Sequence, residues 1–538
     1  IEISLSKDSS WRVIKQDESI IWFKGYIYHM LINELADLVL KENITTIKSF
    51  LNKLDGHFSL IVKTKNFYLI SVDKVRSCPI LWSIKDENIL LISDKGSLIK
   101  KELNLTSLDV DKSISEAFAV SGYTIGEHTL YKNVKQINPG SYLWIEDKKL
   151  FVNKYYTWKP WNIYKHQVNL SSKLNKINEK IFKNLISSLE NRQVIVPLSG
   201  GLDSRLILAG LKKFNYKNVL CISYGLKNNK DAFVAKQVAK KLGYEWIFIK
   251  YNMRDLRKYF YTKEYMEYSN FCDSFTSIHF VGEYIMLKKL SNNLIKKDAI
   301  FINGQSGDFI TGNHIPEDII CPEENNKKRE NNVLSKFVSK HYKHWKVLAG
   351  KESNNNIRVL LSEEVKKIGG FPNNKNKDYG IYEYLEFMDR QSKYVINGQR
   401  NYEYFGYEWR LPLWDNTYLD FWEKVPLSEK LNQRLYKNTL KKYNWGGVWK
   451  DININPKIIT PAWIIPVRFL FKTFFVFRGK KHWHDFEKKY LSYFMDNLVA
   501  YAPWSYFQII LDKRGHDSAI GWLIEDYLKK KKLNWKGR

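Results

Sequence analysis

Cysteine is scarce in this chain. Four cysteines are scattered over 538 residues, with no CxxC pair and no regular spacing. That pattern argues against a disulfide scaffold or a zinc site, and it favours a reducing compartment. An apolar run of about 20 residues, the length that spans a bilayer, is absent, and no signal peptide precedes the first expected strand. The sequence therefore predicts a cytoplasmic protein.

Acidic residues are also few relative to basic ones. The chain has 57 Asp and Glu against 86 Lys and Arg, which gives a net charge of +29. Such an excess attracts polyanions, anionic lipid headgroups or phosphorylated substrates. The sequence contains no recognised nucleic-acid-binding motif, so a nucleic acid is not the expected partner. Hydrophobic residues make up 44% of the chain, which is enough to fill the cores of two or three domains.

The most informative stretch is VIVPLSGGLDSR, residues 194–205. Residues 193–198 predict a short buried strand, residues 199–201 a glycine turn, and residues 202–211 a helix. Such a turn aims backbone N–H groups at an anion above it, and the helix dipole adds to the attraction. The turn is neither a Walker loop, because no Lys-Ser/Thr follows the glycines, nor a GxGxxG fingerprint. We interpret it as a nucleotide-phosphate cradle rather than an ordinary tight turn.

The segments that follow predict parallel βαβ units. Residues 219–225 and 245–251 are strand candidates, and residues 229–242 between them are apolar at helical spacing. A fourth strand candidate, residues 299–303, runs into a second glycine turn that ends at Asp308. Magnesium commonly binds one or two carboxylates together with phosphate oxygens. Asp203 and Asp308 are therefore the expected magnesium ligands.

These motifs resemble those of the asparagine synthetase family. SGGLDS (residues 199–204) is similar to the pyrophosphate loop of ATP pyrophosphatases, and EWRLPLWD (408–415) is similar to the family's ExRxPFxD segment. Lys437 stands where the family has a lysine that contacts the phosphates in the transition state, where a cation stabilises developing charge. The resemblance implies ATP and Mg²⁺ as cofactors and an acyl-adenylate intermediate. The nucleotide contacts that it implies are Leu198, Ser199, Gly200, Gly201, Leu202, Asp203, Ser204, Ser223, Tyr224, Gly304 and Gly307, and the catalytic candidates are Lys437, Gln305, Glu408 and Arg410.

The first part of the chain resembles the glutaminase half of the same family. Residues 54–60, 73–82 and 137–142 are similar to its LxGxFAF strand, its DxxGxxPLYY hairpin and its LPPG segment. Glutaminases of this type use an N-terminal cysteine as the nucleophile. This sequence begins at Ile1, and its first cysteine is Cys78 in the expected hairpin. We expect no hydrolysis of glutamine by this half, with ammonia or an amine as the nitrogen donor.

A second departure concerns the proton acceptor. Amide-forming relatives often have a glutamate three residues before the second magnesium aspartate, and here that position is Gln305. An amide cannot accept the proton, although it can orient a nucleophile by hydrogen bonding. The base must come from elsewhere, and the sequence does not rank the candidates, which are Glu386, Asp389, Glu408 and His314.

The end of the chain combines apolar and basic residues. Residues 461–477 (PAWIIPVRFLFKTFFVF) predict an apolar helix in which Arg468 and Lys472, four residues apart, form a cationic stripe. Basic residues continue at 478–481, 529–532 and 535–538. A helix of this kind lies flat on an anionic membrane surface; the alternative is a helix packed in the core with a solvated tail.

We therefore expect an α/β protein with three parts. Residues 1–158 form a glutaminase-like αββα sandwich, residues 170–455 a synthetase domain with a parallel sheet, and residues 456–538 a basic helical extension. The Asn/Lys-rich stretches 325–332, 353–356 and 373–377 are expected to be loops. The resemblance implies an AMP-forming amide ligase, with a sugar acid of surface-polysaccharide synthesis as the first candidate substrate. A peptide or lactam cyclase and a non-catalytic scaffold are the alternatives.

Overall fold

Two stacked β-sheets and four helices form the first part of the chain. The computed structural model describes residues 1–86, 89–162, 169–290, 294–320, 325–346, 350–453, 458–475 and 477–533. The strands of this part are β1 (Glu2–Ser4), β2 (Arg12–Gln16), β3 (Ser19–Ile27), β4 (Gly56–Lys63), β5 (Phe67–Val72), β6 (Leu81–Lys85), β7 (Ile89–Ser93), β8 (Lys135–Gln136), β9 (Ser141–Glu146) and β10 (Lys149–Lys154). The helices are α1 (Ile32–Val39), α2 (Ile47–Lys53), α3 (Gly96–Glu102) and α4 (Lys112–Ser121).

The sheets stack as the predicted αββα sandwich. One sheet has the order β1-β7-β6-β8, and the other has the order β10-β9-β5-β4-β3-β2. Fully buried Ile61, Ile70 and Ile92 pack in the apolar layer between the sheets. Leu35 of α1 and Leu51 of α2 cover the outer face of the larger sheet. Alternating apolar residues on β4 and β5 produce this arrangement, because each strand contributes one side chain to each layer.

One local expectation in this part is wrong. The segment predicted as a hairpin, residues 73–82, instead joins β5 of the larger sheet to β6 of the smaller one. Asp73 ends β5, because its carboxylate accepts hydrogen bonds from the backbone N–H groups of Val75 (2.8 Å) and Ser77 (3.0 Å) and turns the chain. Cys78 lies buried in this crossover, and burial raises the pKa of its thiol to about 12. Its thiol therefore stays protonated at neutral pH.

A five-stranded parallel sheet organises the second part. Its strands are β11 (Val194–Pro197), β12 (Val219–Gly225), β13 (Glu245–Lys250), β14 (Ile300–Ile302) and β15 (Glu408–Arg410). The spatial order is β13-β12-β11-β14-β15, with every neighbouring pair parallel. The four strands predicted from apolar runs are confirmed. The runs in β11, β12 and β14 are almost entirely buried, as inner strands of a parallel sheet require, whereas β13 is a partly exposed edge strand. The edge strand β15 was not predicted.

Helices surround this sheet on both faces. They are α5 (Leu170–Ser187), α6 (Asp203–Lys213), α7 (Lys230–Leu242), α8 (Met253–Phe260), α9 (Lys263–Phe271), α10 (Gly282–Lys289), α11 (Gly307–Ile310), α12 (Asn326–His341), α13 (Lys351–Lys366), α14 (Asp378–Glu386), α15 (Arg400–Tyr404), α16 (Asn416–Trp422), α17 (Leu427–Lys430) and α18 (Arg434–Tyr443). Between α14 and α15 the chain stays helical, as a π-helix over Phe387–Val395 followed by a 3₁₀ turn. Such π segments are frequent at functional sites.

Two of the three Asn/Lys-rich stretches are helical rather than loops. Residues 326–332 belong to α12 and residues 353–356 to α13. Val333, Leu334, Phe337 and Val338 of α12 are buried at helical spacing. This apolar stripe outweighs the low helix propensity of the asparagines beside it.

The last part consists of α19 (Ile464–Phe475), α20 (Lys480–Tyr490), α21 (Ser492–Met495), α22 (Tyr506–Leu511) and α23 (Ala519–Lys530). Helix α23 is no free extension, because Tyr527 stacks on Phe118 of α4 (5.3 Å between ring centroids) and donates a hydrogen bond to Asp273 (2.7 Å). Two lysines of the expected solvated run are paired, Lys530 with Asp526 and Lys531 with Asp273. Residues 534–538 lie outside the described part. Within the described ranges, no helix has the length and apolar character needed to cross a membrane.

Candidate active site

Two glycine turns lie side by side at the carboxyl edge of the parallel sheet. The first follows β11 and leads into α6, and the second follows β14 and leads into α11. The two strands pair directly, with Val194 opposite Ile300 and Ile195 opposite Phe301. Since parallel neighbours end at the same edge, the turns meet where α/β folds bind their ligands. The structure therefore brings together the two motifs that the sequence singled out.

Glycines in the second turn allow this close approach. A β-carbon at Gly304 would lie 2.6 Å from the carbonyl carbon of Asp203, and one at Gly307 would lie 2.5 Å from its Cγ. Both distances are shorter than any normal carbon contact, so a side chain at either position would push Asp203 away. The turn therefore requires glycine for space, and Asp203 is held against α11.

Asp203 and Asp308 are electrostatically coupled at the mouth of these turns. Asp203 accepts a hydrogen bond from the hydroxyl of Tyr436 (2.9 Å), and Asp308 contacts Nε2 of His314 (3.1 Å). Burial and, secondly, the charge of Asp308 raise the pKa of Asp203 to about 8. Burial opposes ionisation of Asp308 as well, but its hydrogen bond with His314 holds its pKa below the ordinary value. Two adjacent carboxylates of this kind can bind a cation.

The donor set fits a magnesium ion that arrives with a polyphosphate. Among the described residues, no group of three or more His, Cys, Asp or Glu side chains could hold a metal. Magnesium needs no such cage, because it retains water and phosphate oxygens and takes one or two carboxylates from the protein. The raised pKa of Asp203 also fits, since a divalent cation between the carboxylates would offset their repulsion.

The amides of the first turn are engaged in local hydrogen bonds. The N–H of Ser199 donates to Ser204 Oγ (3.1 Å), that of Gly200 to Asp231 Oδ1 (3.3 Å), and that of Gly201 to Ser199 Oγ (3.2 Å). The expectation of free N–H groups is therefore wrong for this structure. Short polar side chains surround the turn and satisfy its donors. Each of these bonds is long enough that a phosphate oxygen would be a stronger acceptor.

Arg205, which sequence reasoning missed, supports the turn from behind. This fully buried guanidinium donates to the carbonyl of Gly200 (3.3 Å) and to the carbonyls of Val448 (2.9 Å) and Ile452 (3.0 Å). It thereby ties the phosphate turn to the chain that follows α18. Its position one turn into α6, directly after SGGLDS, was the available signal.

The side chains at the end of β12 are occupied by the protein. Ser223 donates to the carbonyl of Leu198 (2.7 Å) and accepts from Trp246 Nε1 (2.9 Å). Tyr224 donates to Glu283 (2.9 Å) and stacks on Tyr251. Leu202 is buried at the start of α6. The side chains of Ser223 and Tyr224 are therefore engaged within the protein, and their predicted contact with the nucleotide stays a prediction.

Gln305 forms part of an amide network. Its side-chain oxygen accepts a hydrogen bond from Gln399 Nε2 (2.6 Å), and Gln399 in turn accepts one from Asn303 (3.4 Å). A β-carbon at Gly398 would lie 2.8 Å from Gln305 Nε2, so that glycine makes room for the side chain. Gln305 is thus held by its neighbours in one orientation, as a residue that orients a ligand requires.

A buried charge network extends from Asp308 to Glu386. His314 Nδ1 contacts Glu386 at 2.6 Å, while Arg390 donates to the same carboxylate at 3.1 Å and His341 contacts it at 3.3 Å. Burial opposes ionisation of Glu386, but His341 and His314 hold its pKa well below the ordinary value. Burial lowers the pKa of His314, and Glu386 and Asp308 outweigh it and raise that pKa to about 9. Glu386 is therefore a carboxylate and His314 a cation near neutral pH.

The other base candidates lie outside this network. Asp389 is buried, accepts from Lys393 (2.8 Å) and the N–H of Gly126 (2.8 Å), and thereby links the first and second parts of the chain. Glu408 pairs with Arg192 (2.7 Å) and Arg410 (3.1 Å). Of the four candidates, His314 contacts Asp308, and Glu386 contacts His314.

The structure does not bring Glu408 and Arg410 to the two turns. Glu408 lies opposite Ile300, the first residue of β14, whereas Asp308 follows the last residue of that strand. The Arg410 side chain runs back to Ser188 Oγ (3.3 Å) and lies 4.1 Å over the Tyr26 ring. Both residues line a cleft of about 970 Å³ between the first two parts of the chain. The sequence predicts both residues in the catalytic site, and the structure corrects this position to the interface.

Lys437 lies near the site on α18. Its Nζ donates to the carbonyl of Asn432 (2.9 Å) at a partly exposed position. The preceding residue, Tyr436, hydrogen-bonds to Asp203, so the start of α18 is fixed beside the aspartates. Tyr436 was missed from the sequence, although an aromatic residue next to the expected phosphate-binding lysine was a usable signal. The role of Lys437 stays a prediction.

Comparisons with known proteins identify two domains in the chain. The asparagine synthase family profile matches residues 188–444, and the glutamine amidotransferase domain profile matches residues 36–156. The microcin J25-processing protein McjC of Escherichia coli is 22% identical over 287 residues, which cover 53% of this chain and 52% of McjC. The chain thus matches only about half the length of this relative.

Two solved structures were also compared with the chain. An allosteric regulatory enzyme of purine biosynthesis matches at a TM-score of 0.20 and 10% identity, over 44% of this chain and 62% of that one. The glutamine phosphoribosylpyrophosphate amidotransferase from B. subtilis matches at a TM-score of 0.19 and 8% identity, over 54% and 62%. At these TM-scores the likeness carries no argument. The two domain profiles and the McjC match together support an asparagine synthetase family member, with the asparagine synthase match confined to residues 188–444.

Proposed function

We propose that this protein is an ATP-dependent amide ligase that activates a carboxylate by adenylation. The observation that carries the proposal is the pair Asp203 and Asp308, held by two glycine turns at the carboxyl edge of the sheet. A bound magnesium ion would neutralise the leaving pyrophosphate there. The family membership supports ATP as the nucleotide.

The proposed reaction has two steps. In the first, a carboxylate oxygen of the substrate attacks the α-phosphorus of ATP, and the bond to the β-phosphate oxygen breaks with release of pyrophosphate. In the second, an amine attacks the acyl carbon, AMP leaves with the carboxylate oxygen, and the amine nitrogen loses a proton. Lys437 lies at the start of α18 and supplies a cation for the charge that develops in the first step.

We assign the amine proton to the pair His314 and Glu386. His314 acts in its neutral form: its Nδ1–H donates to Glu386 (2.6 Å), its Nε2 takes the proton from the amine, and Glu386 and Asp308 stabilise the imidazolium that forms. A weakly basic acceptor is sufficient, because the nitrogen becomes strongly acidic once it has bonded to the acyl carbon. Gln305, fixed by Gln399, orients the nucleophile without accepting the proton.

Two substrate classes remain as candidates. A sugar acid carried on a lipid diphosphate is supported by the net charge of +29 and by the apolar, basic segment around α19. A peptide whose carboxylate is joined to its own amine is supported by the similarity to a microcin-processing protein. In the second case the amine is supplied by the substrate, which agrees with an amide at position 305.

Carboxylate-dependent exchange of labelled pyrophosphate into ATP tests the proposal. The panel contains uronic acids, peptides with free acidic side chains, and aspartate, each with and without Mg²⁺. Magnesium-dependent exchange with one class identifies the substrate, and adding ammonia or an amine then gives the amide. Failure of all three classes, with the Asp308→Asn variant indistinguishable from the natural protein, would favour the non-catalytic scaffold.

A further inference from the structure

Helix α19 exposes an unusual amount of apolar surface. Phe477 just beyond it is 96% exposed, Phe469 is 74% and Phe474 is 67% exposed. Leu470 and Trp463 are more than half exposed as well. Single exposed apolar residues are ordinary, but a contiguous patch of this kind on a protein surface marks an interaction site.

The opposite face of α19 is already occupied, so the exposed face is not a folding defect. Phe475 packs against Trp483 (5.9 Å) and Phe486 (5.0 Å) of α20, and Phe471 also contacts Phe486 (5.1 Å). Arg468 pairs with Glu487 of α20. The expected stripe of Arg468 and Lys472 is therefore wrong, because Arg468 faces α20.

The apolar patch continues onto α22. Trp463 contacts Phe494 (5.4 Å), which contacts Tyr506 (5.0 Å) at the start of α22. Phe507 and Leu511 of this helix are 67% and 71% exposed. We call these seven residues the α19 surface: Trp463, Phe469, Leu470, Phe474, Phe477, Phe507 and Leu511.

Basic residues border the α19 surface on one side. Exposed Lys472 lies on α19, and exposed Arg478, Lys480 and Lys481 follow it directly. The sequence from residue 457 to residue 484 contains no Asp or Glu. A face that is apolar in the middle and has these cations at its α19 edge complements an anionic lipid surface, in which acyl chains lie beneath phosphate groups. A second copy of the chain would bring like charges together across a two-fold axis.

We propose that the α19 surface seats the protein on an anionic phospholipid bilayer. The aromatic side chains enter the region between headgroups and acyl chains, and the basic residues contact lipid phosphates. This inference stands on the C-terminal helices alone and does not depend on the ligase assignment. If a lipid-linked acid is the substrate, the same surface brings the site to it.

Co-sedimentation of the full chain with vesicles tests the inference. We expect binding to vesicles of phosphatidylcholine with phosphatidylglycerol, and much weaker binding to phosphatidylcholine alone. Replacing Lys480 and Lys481 by Gln should weaken binding roughly thirtyfold, since each basic residue near an anionic leaflet contributes about 1 kcal/mol. Added salt should weaken it in the same direction.

Matched variants distinguish binding by the α19 surface from nonspecific adsorption to vesicles. Phe469→Ser with Phe474→Ser and Phe477→Ser should abolish binding, whereas Leu108→Ser, at a residue that is 86% exposed on the first part of the chain, should not. Lys148→Gln with Lys149→Gln is the charge control on the β9–β10 turn. All these positions are exposed, so the variants should fold.

Three outcomes would overturn the inference. Equal binding to neutral and anionic vesicles would remove the role of the basic edge. No binding to either would leave the surface to a protein partner. A dimer in solution that the triple Phe variant dissociates would assign the surface to a second copy of the chain.

Discussion

At the scale of single residues, the account depends first on Asp203 and Asp308. Replacing Asp308 by Asn keeps the size of the side chain but removes the charge that would hold a metal-bound pyrophosphate. We expect carboxylate-dependent ATP–pyrophosphate exchange to fall by about a hundredfold or more, as for other groups that stabilise transition-state charge. The free energy of unfolding should stay the same or rise slightly, because Asp308 is one cause of the raised pKa of Asp203. Exchange within a factor of a few of the natural protein would contradict the assignment.

Lys437 allows a matched comparison on one helix. Lys437→Gln should lower the adenylation rate more than it weakens ATP binding, because the cation acts on charge that develops in the transition state. Lys441 lies on the same helix, α18, at an exposed position, and Lys441→Gln is the control. Rates of pyrophosphate exchange at saturating ATP provide the measurement. Equal rates for the two variants would make Lys437 an ordinary surface lysine.

Variants of Glu386 and Glu408 distinguish a carboxylate that takes part in proton transfer from one with a structural role. Glu386→Gln should slow amide formation more than pyrophosphate exchange, since the proton is released in the second step. Glu408→Gln should leave that ratio unchanged, because Glu408 pairs with Arg192 and Arg410 at the domain cleft. Single-turnover formation of amide from preformed adenylate measures the second step directly. A ratio unchanged by Glu386→Gln would exclude the proposed proton route.

At the scale of elements, the glycine turns give the sharpest prediction. A β-carbon at Gly307 would lie 2.5 Å from Asp203 Cγ, so Gly307→Ala should displace that carboxylate and remove pyrophosphate exchange. Gly350→Ala is the matched control, since no atom of the described residues lies within 4 Å of its β-carbon position. Circular dichroism should show both variants folded. Exchange retained in Gly307→Ala would mean that Asp203 need not lie against α11.

The sequence was most informative where an element is buried on both sides. The runs that became β11, β12 and β14 have no strong alternative to a parallel strand. The sequence was least informative for α12. Asparagine and lysine residues there surround the apolar residues that recur four positions apart. The three residues of β15 were also missed, because so short a strand is defined by its pairing with β14 rather than by its own pattern.

The residues of the site also differ in how well the sequence predicts them. The two aspartates and the glycines were predictable because their spacing from the strand ends fixes their position. Gln399 was not, because it lies far along the chain and reaches Gln305 only through tertiary packing. Arg410 was placed wrongly because a motif gives a residue's strand but not the direction of its side chain.

At the scale of the whole molecule, the interface between the first two parts predicts a pH effect. His57 lies beside Trp409 and contacts the hydroxyl of Tyr26 (2.7 Å). Burial, and secondly Arg410, lowers its pKa from 6.5 to about 3. Below pH 6.5 the unfolded chain therefore binds a proton that the folded chain does not, so the stability from this group falls as the pH falls towards 3.

Comparison with His57→Asn isolates this contribution. Asparagine retains an acceptor near Tyr26 but does not titrate. The difference in unfolding free energy between variant and natural protein should shift in favour of the variant by about 1.4 kcal/mol per pH unit well below pH 6.5. Denaturant unfolding at several acidic pH values measures it. A constant difference would show that His57 titrates normally in the folded protein.

Helices α19 and α23 of the basic C-terminal part differ in how they pack. Sequence composition treats residues 456–538 as one extension. The structure places Trp522 and Tyr527 of α23 in an apolar cluster shared with the first part of the chain, while α19 keeps its aromatic face exposed. Composition cannot distinguish these helices, because both combine aromatic and basic residues.

The proposed reaction requires that the substrate carboxylate bonds to the α-phosphate of ATP. The most direct measurement follows ¹⁸O from a labelled carboxylate substrate into the nucleotide product. We expect AMP carrying one atom of ¹⁸O per amide formed, with pyrophosphate unlabelled and the label absent when Asp203 is replaced by Asn. Formation of ADP and labelled inorganic phosphate would contradict the account, because the carboxylate would then have attacked the γ-phosphate instead.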